Sequence, residues 1–113
     1  MSINKFSLLL CISLFTSGLY ARDVWTDSKK IVSVQVTNDG GFLVQLDSEI
    51  STDCSHAGTD VLLISPFQNE VTIAGAKSLL STALIAFSTE STVNIMYSND
   101  TVNCWGKYLS ISK

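Results

Sequence analysis

Two neighbouring runs near the start of the chain alternate apolar with polar residues. The runs cover residues 31–37 and 42–46, and each predicts a half-buried strand. Their apolar members are Val32, Val34, Val36, Phe42, Val44 and Leu46. Asn38-Asp39-Gly40-Gly41 lies between the runs and contains the residue types that accept positive φ in tight turns. The two runs are therefore predicted to form an antiparallel hairpin.

A second patterned region spans residues 71–100 and changes period in the middle. Apolar residues first recur at helical spacing, which predicts one buried helix face. That face would consist of Ile73, Ala76, Leu80, Ala83, Leu84 and Phe87. From Thr92 the period becomes two, so Val93, Ile95 and Tyr97 are predicted to point to one side of a strand.

Two further strands complete the predicted elements. Val61 to Ile64 is a continuous apolar run that Pro66 ends, as expected for a central strand. Tyr108 to Ser112 alternates again, with Leu109 and Ile111 inward. The fold is predicted to be mainly β with one helix, in the order β-β-β-α-β-β of a five-stranded OB-fold-like barrel. A small α+β sheet with one packed helix is the alternative.

The first 21 residues have the pattern of a secretory signal peptide. Lys5 precedes the apolar segment Phe6 to Phe15, and small residues lead up to a cleavage site predicted after Ala21. The apolar segment is shorter than the about 20 residues that span a bilayer, although a retained N-terminal anchor is an alternative. Residues 22–113 are then predicted to be a single domain, secreted or periplasmic and without membrane insertion.

The cysteines support an oxidising compartment. Cys11 leaves with the signal peptide, so Cys54 and Cys104 remain as an even pair. A chain this short buries only about 60–65% of its unfolded surface, so a covalent link would add needed stability. We predict one disulfide between Cys54 and Cys104.

Charge narrows the choice of partners. From Arg22 onward there are six basic and ten acidic residues, which gives a net charge of −4 without any basic cluster. Nucleic acids and anionic membrane surfaces need several basic groups, so both are disfavoured. A neutral or weakly charged ligand, or a protein partner, is the better match.

Catalytic and metal-binding patterns are lacking in the sequence. His56 is the single histidine, next to Ser55 in a polar loop, and metal sites need three or four suitable ligands. No paired general acid and base can be located. We expect a non-enzymatic protein without catalytic residues, metal or cofactor, and a small hydrolase is the least favoured reading.

Aromatic residues are the remaining candidates for recognition. Trp25 lies in a polar segment, where it would cover a barrel end or contact a neighbouring subunit, and Trp105 follows Cys104 and would stack on the disulfide or core. Tyr97 ends the strand after the helix, and its flat ring and hydroxyl suit sugar or peptide recognition. A place in the core is the open alternative for Tyr97.

The stretch from Leu79 to Tyr97 (LLSTALIAFSTESTVNIMY) resembles the helix and following strand of the binding subunits of subtilase-type and pertussis-like bacterial toxins. The shared pattern is a mid-helix Ala83, Phe87 near the helix end, Ser88-Thr89, and then Val-x-Ile-x-Tyr ending at Tyr97. Trp25-Thr26 also resembles the start of the mature family chains. Glu90 departs from the family glycine at its position.

The resemblance implies an OB-fold subunit that assembles into a pentameric ring and binds sialylated glycans on host cells. It implies a ligand contact for Tyr97 and, in the segment before the first strand, for Ser28 as the nearest serine. Asn99 would add hydrogen bonds beside Tyr97. We therefore expect a secreted glycan-binding module of bacterial origin. The alternative is a periplasmic or extracellular module that binds or inhibits a protein and has no glycan ligand.

Overall fold

One N-terminal stretch runs along two different partners and organises the whole sheet. The computed structural model describes residues 23–99 and 102–112, so the predicted signal peptide lies outside the described residues. The elements are β1 (Asp23–Trp25), β2 (Lys29–Val36), β3 (Phe42–Leu46), β4 (Val61–Ile64), α1 (Ile73–Thr89), β5 (Thr92–Ser98) and β6 (Gly106–Ser112).

The first two strands share the same edge of β5. Asp23 pairs with Ser98 in β1, and Lys29 pairs with Val93 at the start of β2. The register shifts between Ile31 and Ser33, and the rest of β2 pairs with β3 instead. β1 and β2 therefore act as one long, bent strand. β1 was not predicted, because three residues in a polar segment show no alternation.

The sheet follows the pairing order β1-β5-β2-β3-β4, with β6 on the other side of β5. These pairs are antiparallel. A parallel bridge between Leu63 and Trp105 brings β4 next to the start of β6. The curled sheet confirms the mainly β, OB-fold-like barrel with one helix, and its full order is β-β-β-β-α-β-β.

Alternating residues of β3 and β5 fill the interior as predicted. The most deeply buried side chains on the two strands are Phe42, Val44, Leu46, Val93 and Ile95. Leu109 and Ile111 of β6 are partly buried against them. Each fully buried side chain of this kind contributes about 1.5–3 kcal/mol by leaving water.

The predicted disulfide is present. The Cys54 and Cys104 sulfur atoms are 2.08 Å apart, and both residues are almost completely buried. The bond connects the β3–β4 loop to the segment just before β6. It therefore joins the two halves of the barrel wall beside the bridge from Leu63 to Trp105.

Helix α1 presents only part of the predicted face to the barrel. The Thr72 hydroxyl caps its start by accepting the Gly75 N–H at 2.9 Å. Its buried residues are Ala76, Ala83 and Ala86, with Leu79 and Leu80 packed against the core. Ile73, Leu84 and Phe87 are exposed, contrary to prediction. Small alanines let the helix backbone approach the barrel, and the bulkier side chains lie outside.

The turn between β2 and β3 is fastened by one carboxylate. Asp39 accepts hydrogen bonds from the Thr37 hydroxyl, from the Gly41 N–H at 2.9 Å and from the Ser65 hydroxyl at 2.7 Å. These donors stabilise the ionised form, with Thr37 contributing most, and lower the Asp39 pKa from 3.8 to about 2. The ionised carboxylate thus links the hairpin turn to the end of β4.

This link makes stability depend on pH. Because the folded pKa of Asp39 lies below its unfolded value, its contribution is fully present above about pH 4 and disappears as the pH falls through about 2. We expect Asp39→Asn to be less stable than wild type at pH 7 and to lose less stability between pH 4 and pH 2. Urea unfolding at several pH values measures both. Glu49→Gln, at an exposed loop carboxylate, is the control; equal pH slopes in wild type and Asp39→Asn would contradict the prediction.

Candidate functional site

The three predicted ligand contacts do not converge on one surface. Tyr97 pairs with Val24 and lies with the inward-facing residues of β5, where its side chain is only 6% exposed. The Ser28 hydroxyl instead lies 3.5 Å from the Asn94 side-chain oxygen. Asn94 is three residues before Tyr97 on β5, on the outer face of the strand. Asn99 is half-buried just beyond the end of β5.

Tyr97 is a core residue in this structure. Burial of the ring raises the pKa of its hydroxyl, and the negative charges of Asp53 and Asp27 raise it further. The hydroxyl therefore stays protonated at neutral pH. A ligand contact through Tyr97 stays a prediction, and its ring face is not offered to solvent as an isolated stacking surface.

An exposed cluster on the outer face of β1, β5 and β6 carries the aromatic surface instead. Trp25 pairs with Met96, and Met96 pairs with Tyr108 on its other side. The Trp25 and Tyr108 rings stack over this row with their centroids 6.5 Å apart and an interplanar angle of 21°. Trp25 is 50% exposed and Tyr108 is 53% exposed. We call Trp25, Met96 and Tyr108 the aromatic platform.

A row of small polar side chains lies next to the platform on the same face. Asn94 pairs with Ser110 across β5 and β6, and cross-strand partners share one face of a sheet. The Asn94 amide donates to the Thr26 carbonyl at 3.0 Å, and the Ser28 hydroxyl donates toward its side-chain oxygen. Ser28 therefore belongs to this hydroxyl and amide row.

An ionic network borders the other side of the platform. The Lys107 ammonium group contacts Glu70 and lies 3.5 Å from an Asp23 carboxylate oxygen. It also lies 5.6 Å from the centroid of the Tyr108 ring, within cation–π range. The hydrogen bond and charge of Lys107 lower the Glu70 pKa, and the same hydrogen bond raises the Lys107 pKa. Both groups are therefore charged at neutral pH.

A groove of about 280 Å³ opens between the start of α1 and the start of β6. Its lining is mostly apolar, with two hydroxyl-bearing residues and one ion pair. The lining residues are Glu70, Val71, Thr72, Gly75, Leu79, Lys107 and Tyr108. Because Tyr108 belongs to both, the groove continues from the aromatic platform.

Other chemistry in the described residues is sparse. His56 is exposed on the β3–β4 loop, where its backbone N–H donates to the Val102 carbonyl. Within residues 23–99 and 102–112, no three histidine, cysteine or acidic side chains lie close enough together to bind a metal ion. In the same ranges, no helix combines the length and apolar character that a membrane crossing requires.

Sequence reasoning missed most of the platform. Trp25 lies in a polar segment, which does not favour a place in the core, and the residue is half exposed. The signal for Met96 and Tyr108 was also available, because the alternation that places Ile95 and Leu109 inward places their neighbours outward. The pairing of β1 with β5 has no signal in the sequence pattern, because it depends on contacts between distant segments.

Comparison with known proteins adds no family. No protein-family model matches the chain, and no curated protein matches it with significant sequence similarity. The resemblance to toxin binding subunits therefore stays a proposal.

Proposed function

We propose that the protein is a secreted, non-enzymatic binding module of the toxin B-subunit kind, and that it recognises glycans through the aromatic platform. The stacked and half-exposed pair of Trp25 and Tyr108 carries the proposal. Single exposed apolar residues are ordinary on protein surfaces, but two stacked aromatic rings beside a row of hydroxyl and amide groups form an organised surface.

The aromatic platform and the neighbouring row of polar side chains together suit a sugar. The apolar C–H face of a pyranose packs on flat aromatic rings, while its hydroxyl groups exchange hydrogen bonds with small polar side chains. On this protein the platform supplies the rings, and Ser28, Asn94 and Ser110 supply the polar groups. Tyr97 would then support the site from inside the barrel, and Asn99 would support it from just beyond the end of β5.

Secretion and oligomer formation are proposed on separate grounds. The first is supported by the disulfide, and the second follows from a general argument about avidity. A buried disulfide is typical of proteins in the periplasm or outside the cell. A shallow surface of this size binds weakly at each site, so a homo-oligomer such as a pentameric ring would gain avidity from several sites. A sedimentation experiment on the oxidised protein would show whether such an assembly forms.

A protein-binding module is the second candidate. The outward face of α1 exposes Ile73, Leu84, Ile85 and Phe87, and exposed apolar patches of this kind mark protein contacts. In this case the platform would be an extension of a protein interface, and no glycan would compete for it.

A glycan array probed with the oxidised protein separates the two candidates. We expect Trp25→Ala and Tyr108→Ala each to weaken binding of the selected glycans by about tenfold or more, because truncating an aromatic hot spot costs about 2 kcal/mol or more and about 1.4 kcal/mol corresponds to tenfold. Phe67→Ala is the matched control, because Phe67 is 78% exposed and lies outside the platform. Tyr97→Phe tests the contribution of the buried hydroxyl.

The outcomes are distinct. Equal losses in Phe67→Ala and Trp25→Ala would remove the platform as the site. A loss confined to Tyr97→Phe would move the site to the end of β5. No signal on the array, together with loss of a protein partner in Leu84→Ser and Phe87→Ser, would favour the second candidate.

A further inference from the structure

The groove beside the platform has a composition that the platform lacks. Its walls are apolar, and its polar groups include a cation and an anion in direct contact. We propose that this groove binds the acetamido group of an N-acetylated hexose whose ring stacks on the aromatic platform, an inference that rests on the proposed function.

Continuity with the platform is the first support. Tyr108 lines the groove and stacks on Trp25. A sugar ring seated on these two residues holds its substituents at the mouth of the groove. The groove volume of about 280 Å³ is near the lower end of the range of about 300–1,000 Å³ for ligand pockets. It therefore has ample room for one substituent of a sugar and is too small for a whole oligosaccharide.

Complementary chemistry is the second support. An acetamido group combines a methyl group, a carbonyl acceptor and an N–H donor. Val71 and Leu79 offer apolar surface for the methyl group. Lys107 has only donors and the ionised Glu70 carboxylate has only acceptors, so the pair matches both polar atoms of the amide.

Charge balance is the third support. Lys107 already has two carboxylate partners, Glu70 and Asp23, so the groove needs no anionic ligand to neutralise it. An acetamido group is neutral, so it brings no uncompensated negative charge into the groove. A free amine or a plain hydroxyl has no methyl group and would leave the apolar walls unfilled.

The test compares three β-1,4-linked trisaccharides titrated into the oxidised protein expressed from the full chain. The probes are the trimers of N-acetylglucosamine, glucosamine and glucose, and calorimetry measures their affinities. We expect the N-acetylated trimer to bind about tenfold more tightly than the glucose trimer, because a site built around a substituent discriminates against ligands that lack it. The glucosamine trimer lacks the acetyl methyl and carbonyl groups, so it should bind less tightly than the N-acetylated trimer.

Two variants locate the preference in the groove. Lys107→Met removes the donor and keeps the aliphatic stem, and Glu70→Ala removes the exposed acceptor while leaving Lys107 paired with Asp23. Each should reduce the N-acetyl preference, measured as the ratio of the two affinities, to about twofold or less. Lys77→Met is the matched control on the exposed side of α1 and should keep the preference. Thermal melts verify that every variant is folded.

The results separate this inference from the proposed function. If all three trimers bind wild type equally and Trp25→Ala abolishes the binding, the groove inference is wrong and the platform stands. Retention of the preference in both Lys107→Met and Glu70→Ala also overturns the inference. Failure of every saccharide in these titrations and on the array overturns both.

Discussion

Replacing Gly41 by alanine is expected to cause the largest loss of stability of any single methyl addition considered for this fold. A Cβ atom at position 41 would lie 2.2 Å from the Ile64 carbonyl oxygen and 2.9 Å from the Ser65 Cα atom. Both are backbone atoms at the end of β4, so relief requires moving the strand. Overpacking typically costs about 1–3 kcal/mol, and contact with backbone places this case at about 3 kcal/mol or more.

That cost is large for a domain of this size. Total stabilities are about 5–15 kcal/mol, and a small domain loses about 4–8 °C of melting temperature per kcal/mol. Gly41→Ala should therefore lower the melting temperature by more than about 10 °C. Circular dichroism melts of the oxidised protein measure the change.

The adjacent glycine is the natural control. Gly40 has a φ of +93°, but the nearest atom to its added Cβ would be the Pro66 Cγ at 3.5 Å. Gly40→Ala therefore meets backbone strain of about 1–2 kcal/mol without a steric collision. A melting temperature in Gly41→Ala equal to or above that in Gly40→Ala would show that β4 is not packed against the turn as described.

Removing the disulfide should have the second large effect. The bond joins residues 50 positions apart, and closing a loop of this length restricts the unfolded chain by about 4 kcal/mol in the chain-entropy model. We expect the double variant Cys54→Ala/Cys104→Ala to lose about that amount in urea unfolding. Alanine avoids burying an unpaired hydroxyl at two fully buried positions.

Reductant supplies an independent measurement. Wild type in excess dithiothreitol should unfold at the same urea concentration as the double variant, and the double variant should not respond to reductant. Ser55→Ala, at the exposed residue after Cys54, controls for local changes in the loop. A double variant within about 1 kcal/mol of wild type would contradict the loop-closure argument.

Local pattern predicted the inner faces of β3 and β5, but not that of β2, whose predicted apolar face is largely exposed. The alternation of Phe42, Val44 and Leu46 correctly placed them in the core, and so did that of Val93 and Ile95. The even pair of cysteines correctly predicted the disulfide. In each case one physical rule was enough, either burial on one face of a strand or the pairing of the two cysteines that follow the predicted signal peptide.

The orientation of α1 needed information that the local pattern lacks. Apolar residues of α1 are spread over two adjacent faces, one with alanines and one with Ile73, Leu84 and Phe87. Hydrophobicity favours the bulky face, whereas the close approach of the helix to the barrel selects the alanines. Only the space left by the sheet decides between the two.

The aromatic platform was even less predictable than the orientation of α1, because it depends on the pairing of distant strands. Trp25 and Tyr108 lie in strands that each pair with β5, and their side chains meet across Met96. Their stacking requires the register of two separate strand pairs, including a shift between Met96 and Tyr97. By contrast, Tyr97 shares the inward alternation of Val93 and Ile95, so its burial could have been read from the strand pattern alone.

The bent N-terminal strand also constrains when the chain can fold. Asp23 pairs with Ser98, and Cys54 is bonded to Cys104. Neither contact can form until residues 98–104 are available. The β2–β3 hairpin is local and can form early, but contacts of such long sequence separation form slowly. A chain that emerges N-terminus first can therefore complete its barrel only after β5, Cys104 and β6 have emerged.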